Sequence, residues 1–404
     1  MTIEIRQLTA DDSGDFVRPI HTAFGRPLSP EIIERLRALP ELDLRFGAYD
    51  QGSIVGGAGA FTFGMTVPGG VSVETAGLTG VGVLPTHRRR GILTQLMRSI
   101  FEESHRRGQV LSALFCTEPA IYGRYGYGMA SLGGDMELST HRASFADPSL
   151  PDARVRFVTE EEGASLFPPI WDRVRRVTPG MLTRSEIWWR SRRLNDPDWV
   201  RAGRSPLARV LLELGGRPAG YALYRITTGT DRYLMTGSVD IREAIADSVP
   251  ATRALWRYLL DLDLVQVAHM ALMPMDHPLF FLLTEPRAMR LSIHDVIFVR
   301  LLDVPAALSQ RHYEAGPPLV FEVTDAFCPW NAGRYLLADG IAKRTDQAPD
   351  LSLDVTALGS AYLGAFRFTQ LALGGRVVEH TPGSLRNADI VFSADRAPWC
   401  PEIF

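Results

Sequence analysis

The sequence predicts a mixed α/β protein of three successive units, the second repeating the element order of the first. Three observations carry this. The chain has 404 residues, more than one ordinary hydrophobic core holds, so two or three domains are expected. Apolar residues make up 46% and charged residues 22%, which is a globular composition and not a disordered one. Short β-type runs, separated by Gly and Asp turns, alternate with amphipathic helical stretches.

Residues 1–150 form the first expected unit. IEIRQL reads as a strand, and helical patterns follow in TADDSGDFVRPIHTAF and SPEIIERLRAL, where Ser29 precedes Pro30 and Glu31, a helix-start signal. LRFGAYD, SIVGGAGAFTFGMTV and SVETAGLTGVGVLP read as successive strands. In RRRGILTQLMRSIFEESHRRG, residues Ile92, Leu96, Ile100 and Phe101 share one helical face, and Gly108 marks the stop. VLSALFC then reads as a short buried strand.

The Pro- and Asp-rich DPSLPDARVRF suggests a linker, and residues 151–293 restart the pattern. Two helices (EEEGASLFPPIWDRVRR, SEIWWRSRRL) precede strands in LARVLLEL, RPAGYALYRI and RYLMTGSVD. A long helix is expected in EAIADSVPATRALWRYLLDLD, then a strand in VQVAHMALM. Residues 294–404 give a small α+β unit opened by DVIFVRLLDVPAALSQR. Its strands are PLVFEVTD, RYLLADG and LSLDV, and its short helices are TALGSAYLG, FTQLALGG and PGSLRNAD. Most chain ends are polar, whereas Trp399-Cys400-Pro401-Glu402-Ile403-Phe404 reads as a packed end.

A net charge of −3 argues against an electrostatic nucleic-acid binder. Cys116, Cys328 and Cys400 form neither a disulfide framework nor a metal spacing, and no metal cluster is legible. A reduced, cytoplasmic protein is expected. The first residues lack the basic and apolar halves of a signal peptide. No apolar run approaches the roughly 20 residues of a bilayer span.

The informative segment is Val81-Gly82-Val83-Leu84-Pro85-Thr86-His87-Arg88-Arg89-Arg90-Gly91-Ile92. A strand ends, a basic turn follows and a helix begins. A helix start offers unpaired N–H groups and about +0.5 of dipole charge, an anion site suited to a diphosphate. Arg88, Arg89 and Arg90 add cationic donors, and Gly91 lets phosphates approach the backbone. Taken alone, three arginines also read as a solvated helix start.

Arg-Arg-x-Gly between a strand and an amphipathic helix resembles the pyrophosphate-binding motif of the GNAT acyltransferases. The following segment, SALFCTEPAIYGRYGYGMAS, closely resembles the active-site block of one GNAT family, the Eis (enhanced intracellular survival) proteins. Thr117-Glu118 and Ile121-Tyr122-Gly123-Arg124-Tyr125-Gly126-Tyr127-Gly128 carry the match, and LGSAYLGA near 358–365 adds to it. The resemblance implies two tandem GNAT folds, the second degenerate, and a C-terminal domain like the sterol carrier protein. It implies acetyl-CoA as co-substrate, an amine acceptor of aminoglycoside, polyamine or lysine type, and a homo-hexamer.

Position by position, the resemblance makes Tyr122 the general acid and the terminal carboxylate of Phe404 the base. It matches Val81 and Val83 to the backbone partners of the cofactor arm and Arg88, Arg89 and Gly91 to the pyrophosphate grip; Gly82, Arg90, Ile92, Thr117 and Glu118, in the same motifs, are further expected cofactor contacts. Some family members carry a His where this chain has Phe115, so any role of that His is absent here.

Attack on a thioester needs a neutral amine. At pH 7 an ammonium with pKa near 10.4 is only about 1 part in 2,500 neutral, a penalty of about 4.6 kcal/mol. A carboxylate can accept its proton. A tyrosine hydroxyl, protonated at working pH, can donate to the leaving thiolate. The Val83 N–H is a candidate to polarise the carbonyl. Direct attack needs no acyl-enzyme, and Cys116 has no partner base near it in sequence. The alternative expectation is a hydrophobic-ligand carrier that works through its C-terminal domain, since fold does not fix function.

Overall fold

The computed structural model describes residues 3–8, 13–37, 43–149, 152–232 and 234–404. Parts of the expected first helix, of SPEIIERLRAL, of the linker and of RYLMTGSVD therefore lie outside the described residues. The chain divides into two compact units. Residues 1–131, 296–398 and 402–404 make the first, and residues 132–295 and 399–401 make the second.

The first unit holds two sheets. One has seven strands: β1 (Glu4–Gln7), β2 (Leu44–Asp50), β3 (Ser53–Thr66), β4 (Ser72–Val83), β5 (Leu111–Leu114), β6 (Gly128–Met129) and β16 (Phe298–Leu301). Their order is β1-β2-β3-β4-β5-β16-β6. Helices α1 (Ser13–Ala23), α2 (Pro30–Arg37), α3 (Ile92–Arg106) and α4 (Pro119–Tyr122) complete it. The face of α3 read from the sequence is the buried one: Ile92, Leu96, Met97, Ile100 and Phe101 join the core with Ala58, Ala76, Leu114 and Tyr127. That apolar stripe, more than propensity, fixes the helix.

The other sheet of this unit has the order β19-β18-β17-β20-β21. Its strands are β17 (Leu319–Thr324), β18 (Gly333–Ala338), β19 (Ile341–Arg344), β20 (Leu351–Asp354) and β21 (Val377–Glu379). Four helices accompany it: α9 (Val304–Leu308), α10 (Val355–Tyr362), α11 (Phe368–Leu373) and α12 (Ser384–Val391). Three phenylalanine rings, Phe321, Phe368 and Phe392, pack together inside, with centroids 4.9–5.7 Å apart. The buried guanidinium of Arg311 donates to the Tyr362 carbonyl at 2.6 Å and the Phe392 carbonyl at 2.9 Å. These are helix C-terminal carbonyls, where a cation is favoured.

The second unit carries a seven-stranded sheet in the order β15-β7-β14-β13-β10-β9-β8. The strands are β7 (Leu132–Ser139), β8 (Ala153–Phe157), β9 (Ala208–Leu214), β10 (Arg217–Thr227), β13 (Gly237–Ala246), β14 (Val265–Pro274) and β15 (Met289–Asp295). A ribbon of β11 (Thr230–Asp231) and β12 (Leu234–Met235) stands apart. The helices are α5 (Glu160–Arg175), α6 (Glu186–Trp188), α7 (Val249–Leu260) and α8 (Leu279–Leu282). A Thr159–Glu162 capping box opens α5.

Three findings differ from the sequence reading. Leu132–Ser139, read with residues 1–150, pairs in the second unit's sheet. Phe298–Leu301, read with residues 294–404, pairs with β5 and β6 in the first sheet. Glu243–Ala246, expected as helix, continues β13 opposite Gly220–Leu223. Helix α7 begins only after Ser248, whose hydroxyl accepts from the Ala251 N–H, with a proline in its first turn.

Burial of Glu243 explains that override of helix propensity. Its carboxylate receives Arg184 in a two-pronged pair at 2.9 and 2.5 Å and the Tyr221 hydroxyl at 2.6 Å. The Arg184 guanidinium lies 3.3 Å from the Trp171 ring centroid and 4.5 Å from that of Trp189. Burial alone would raise the Glu243 carboxyl, but Arg184 outweighs it and holds the pKa at about 2. The packed C-terminal run is also present: in this unit the Trp399 N–H and Nε1–H donate to Pro179 and Leu272 carbonyls at 2.8 and 2.5 Å.

Glu243→Gln leaves Arg184 buried without its counter-charge. The expected cost is about 3–5 kcal/mol, read as a lower urea midpoint; an unchanged midpoint contradicts the account. Because the folded pKa is depressed, the pair's stabilisation is present above the ordinary carboxylate value of 4.5 and is lost only as pH falls toward about 2.

Candidate active site

The site is built on a ladder that stops early. Parallel strands β4 and β5 pair only through Thr75–Leu111, Ala76–Ser112 and Gly77–Ala113. Strand β4 runs on to Val83 while still pairing with β3 on its other edge. Between Gly57–Gly82 and Gly59–Thr79 the register slips, so that Gly80 and Val81 oppose Ala58. A bulge of this kind bends and twists its strand. Beyond Gly77, the edge of β4 that faced β5 has no strand partner among the described residues. Val81, Gly82 and Val83 lie on this free limb. An extended amide chain can add there as a strand would, because the open N–H and C=O groups need partners.

The free limb leads into the start of α3. Gly91 caps that helix in the left-handed region, at φ 75°, where a side chain would be strained, and no side chain fills the helix end. The first intrahelical bond is Gln95 N–H to Gly91 carbonyl, 3.1 Å, so the N–H groups of Ile92, Leu93 and Thr94 face outward. Arg88, Arg89 and Arg90 are all exposed. They are not equivalent: Arg88 donates to the Ala23 carbonyl at 3.2 Å, whereas Arg90 is tied to the Asp50 carboxylate at 3.1 Å. His87 Nε2 lies 3.3 Å from the same carboxylate. Asp50 thus pins the turn from both sides. In the sequence, Asp50-Gln51-Gly52 reads only as a turn, because the role of Asp50 depends on a partner 40 positions away.

The other limb ends in the tyrosine turn. Thr117 and Glu118 are exposed at its start, and α4 follows, closing with Tyr122. Three tyrosines separate by their partners. The Tyr127 hydroxyl is buried against Ser112 Oγ at 2.6 Å, and Tyr125 meets Thr94 at 3.3 Å. The Tyr122 hydroxyl has no hydrogen-bond partner among the described residues. Its half-buried ring stands edge-on to Tyr127, centroids 5.9 Å apart. Burial, reinforced by Cys116 and Tyr125, pushes the Tyr122 pKa up to about 12.

Phe404 reaches the point where the ladder ends. Its buried ring packs on Phe63 with centroids 5.2 Å apart, and a methyl placed on Gly77 would stand 3.2 Å from it. Gly77 is the last residue of β4 paired with β5. Glu402 is buried as well. Among the described residues no group of His, Cys, Asp or Glu is arranged to hold a metal, and no helix is long and apolar enough to cross a membrane.

Acetyltransferase (GNAT) domain models match residues 4–130 and 180–301, and a sterol carrier protein domain model matches residues 304–401. An N-acetyltransferase of Streptomyces coelicolor is 39% identical over the full length of both chains. N-acetyltransferase Eis of Mycobacterium tuberculosis is 35% identical, covering 98% of each chain. The crystal structure of Eis1 from Mycobacterium abscessus aligns over 100% of both chains with a TM-score of 0.86 and 33% identity. The chain belongs to the Eis family of GNAT N-acetyltransferases.

An Eis-family chain is an acyl-CoA-dependent N-acetyltransferase, and GNAT acetyltransferases use acetyl-CoA. The first GNAT sheet fits that co-substrate: an open strand edge for an amide chain leads to an unfilled helix start with arginines beside it. The second GNAT domain is degenerate in just these features. At the start of α7 the Ser248 hydroxyl already accepts from Ala251 N–H. The preceding residue, Asp247, is a carboxylate bound by Arg173 at 2.8 Å and Arg217 at 2.6 Å. Parallel pairing of β13 with β14 ends at Ile241–Met270, and just beyond it stands buried Glu243 with Arg184 and the two tryptophans.

Arg88→Ala combined with Arg89→Ala removes two cationic donors beside this helix start. Each charge-assisted hydrogen bond lost costs about 1.5–3 kcal/mol, so the acetyl-CoA dissociation constant by calorimetry is expected to rise about tenfold or more. An unchanged constant removes the phosphate grip from this turn.

Proposed function

We propose that this enzyme acetylates primary amines of small polycations or lysine side chains, of aminoglycoside, polyamine or lysine type, by direct attack on the thioester. Tyr122 acts as general acid, and the α-carboxylate of Phe404 acts as base. The observation that carries the reading is the Tyr122 hydroxyl. It is the one tyrosine hydroxyl of the turn left without a partner among the described residues, at the end of the split between β4 and β5.

Direct transfer needs a proton removed at one end and delivered at the other. A carboxylate offers only acceptors, so the Phe404 terminus is suited to draw the proton from an ammonium that is almost wholly charged at neutral pH. The Phe404 ring, buried on Phe63, would hold that carboxylate in place. Tyr122, with its pKa raised to about 12, stays protonated through the working range and can donate to the departing sulfur. The Val83 N–H, on the free limb, is the candidate donor to the thioester carbonyl. Thr117 and Glu118 border the cofactor limb in this reading. The alternative of a hydrophobic-ligand carrier meets a domain interior occupied by Arg311 and the rings of Phe321, Phe368 and Phe392. The homo-hexamer implied by the family resemblance belongs to the same proposal, and light scattering of the purified chain tests it.

Thiol release from acetyl-CoA across polyamines, aminoglycosides and lysine peptides, with product mass checked, is the direct test. Amine-dependent release with an added acetyl mass is expected; acetyl-CoA binding without turnover on any amine overturns the acceptor class. Tyr122→Phe should lower kcat about 100-fold or more with acetyl-CoA affinity unchanged. Extension of the chain past Phe404 should lower turnover by a similar order; full activity of such an extended chain excludes the carboxylate. Since Tyr122 loses its proton only near 12, kcat should rise with pH and then stay level to about pH 10. A fall centred below pH 9, about the range of an unperturbed thiol, would identify some other acid.

A further inference from the structure

We propose that Arg300 is a positioning residue for Tyr122, acting through the backbone of the tyrosine turn. The inference rests on the general-acid reading of Tyr122 given above.

Arg300 lies on β16, directly opposite Ser112 of β5. Its side chain is wholly buried, as is that of Asp325, and the two are paired at 2.6 Å. The second arm of the guanidinium donates to the Tyr125 carbonyl. Asp325 is itself held from several directions, by the N–H groups of Phe327 and Cys328 at 3.0 and 2.9 Å and by Asn331 Nδ2 at 3.2 Å. The guanidinium thus stands on a fixed base, with the Phe101 ring centroid 4.9 Å away.

The turn is draped over this cation. Gly126 adopts φ +83°, and a methyl there would come within 1.7 Å of Arg300 Nη1. Only glycine lets the chain pass. From Gly126 the constraint reaches Tyr122 by short steps. The Tyr127 N–H donates to the Tyr122 carbonyl at 3.3 Å, the Tyr127 hydroxyl is bound to Ser112, and the Tyr127 ring packs edge-on to Tyr122. On the far side Thr356 of α10 donates to the Gly123 carbonyl at 3.4 Å. Burying an ion pair this deeply is expensive. What it returns here is a fixed carbonyl and a fixed turn, at the point where the proposed acid must be aimed.

The test is a double-mutant cycle on the full chain, using Arg300→Met and Tyr122→Phe, with kcat and acetyl-CoA affinity read separately. Arg300→Met is expected to lower kcat about 100-fold, the effect of a small misplacement of a reacting group. Acetyl-CoA affinity should hold, because the turn at 87–92 is untouched. Once Arg300 is gone, Tyr122→Phe should cost little more, because both changes remove one function. Multiplying losses in the double variant overturn the positioning role and leave the tyrosine reading intact. Wild-type turnover in Tyr122→Phe alone overturns the tyrosine reading and the positioning role with it. If Arg300→Met fails to bind acetyl-CoA through loss of fold, Arg300→Lys carries the same cycle. It keeps the charge but loses the forked donor set, and the same non-additivity is expected.

Discussion

Parallel strands β4 and β5 share only the pairs from Thr75–Leu111 to Gly77–Ala113, and every backbone group beyond them must find a partner elsewhere. On β4 the outer edge is satisfied by β3 as far as Val83, so only the inner edge is left open. On the β5 side the chain leaves the sheet at Leu114 and turns through α4 to Tyr122. The same divergence therefore produces an open strand edge on one limb and a tyrosine at the end of the other. Helix α3 completes the arrangement because its start follows the open limb directly and no side chain caps it. Backbone groups that would be a liability in an ordinary edge stand here as a free edge with which an extended amide chain can pair.

The second GNAT domain shows what happens when that constraint is relaxed. Its β13 and β14 also pair in parallel and then part, and just past the last pair β13 carries Glu243, buried with Arg184 beside Trp171 and Trp189. The helix that follows is capped by its own Ser248. A filled helix end and a neighbouring carboxylate repel a diphosphate for the same reason that an empty end with arginines attracts one. The copy has the parting parallel strands but not the uncapped helix start. A buried charge pair is a weak source of stability against a hydrophobic filling, so its presence there speaks for a specified geometry more than for strength.

Much of this was legible in the sequence where the signal is local. The strands at 44–50, 53–66 and 72–83 and the buried face of α3 follow from alternation and helical spacing. The basic turn and the Tyr122 block could be quoted as motifs. What stayed hidden was every feature set by a distant partner. Asp50 looked like turn chemistry until His87 and Arg90 closed on it. Glu243–Ala246 has helix-forming composition and becomes strand because Arg184 and Tyr221 claim the carboxylate. Arg300 sat in an apolar run, where a lone charge gives no hint of its partner. Strand exchange hid as well: Leu132–Ser139 and Phe298–Leu301 join sheets that linear division of the chain does not assign them.

The glycines of Tyr122-Gly123-Arg124-Tyr125-Gly126-Tyr127-Gly128 join these levels. As a string they are a family signature, but the string does not say why glycine is needed. The reasons lie in the C-terminal half of the chain. Gly126 clears the guanidinium of Arg300, and a methyl on Gly128 would stand 2.0 Å from the Thr356 carbonyl at the start of α10. Gly359, one turn further along α10, in turn clears the Val299 carbonyl and the Gly128 nitrogen. At Gly128 and Gly359 backbone thus meets backbone, without side chains between them. Contacts that close transmit position with little slack, since packed interiors yield poorly to displacement. The sterol carrier protein-like part of the chain is therefore structural support for the tyrosine turn, whatever else its fold can hold. Its helix α10 and its Asp325–Asn331 loop belong to the same mechanical unit as Tyr122.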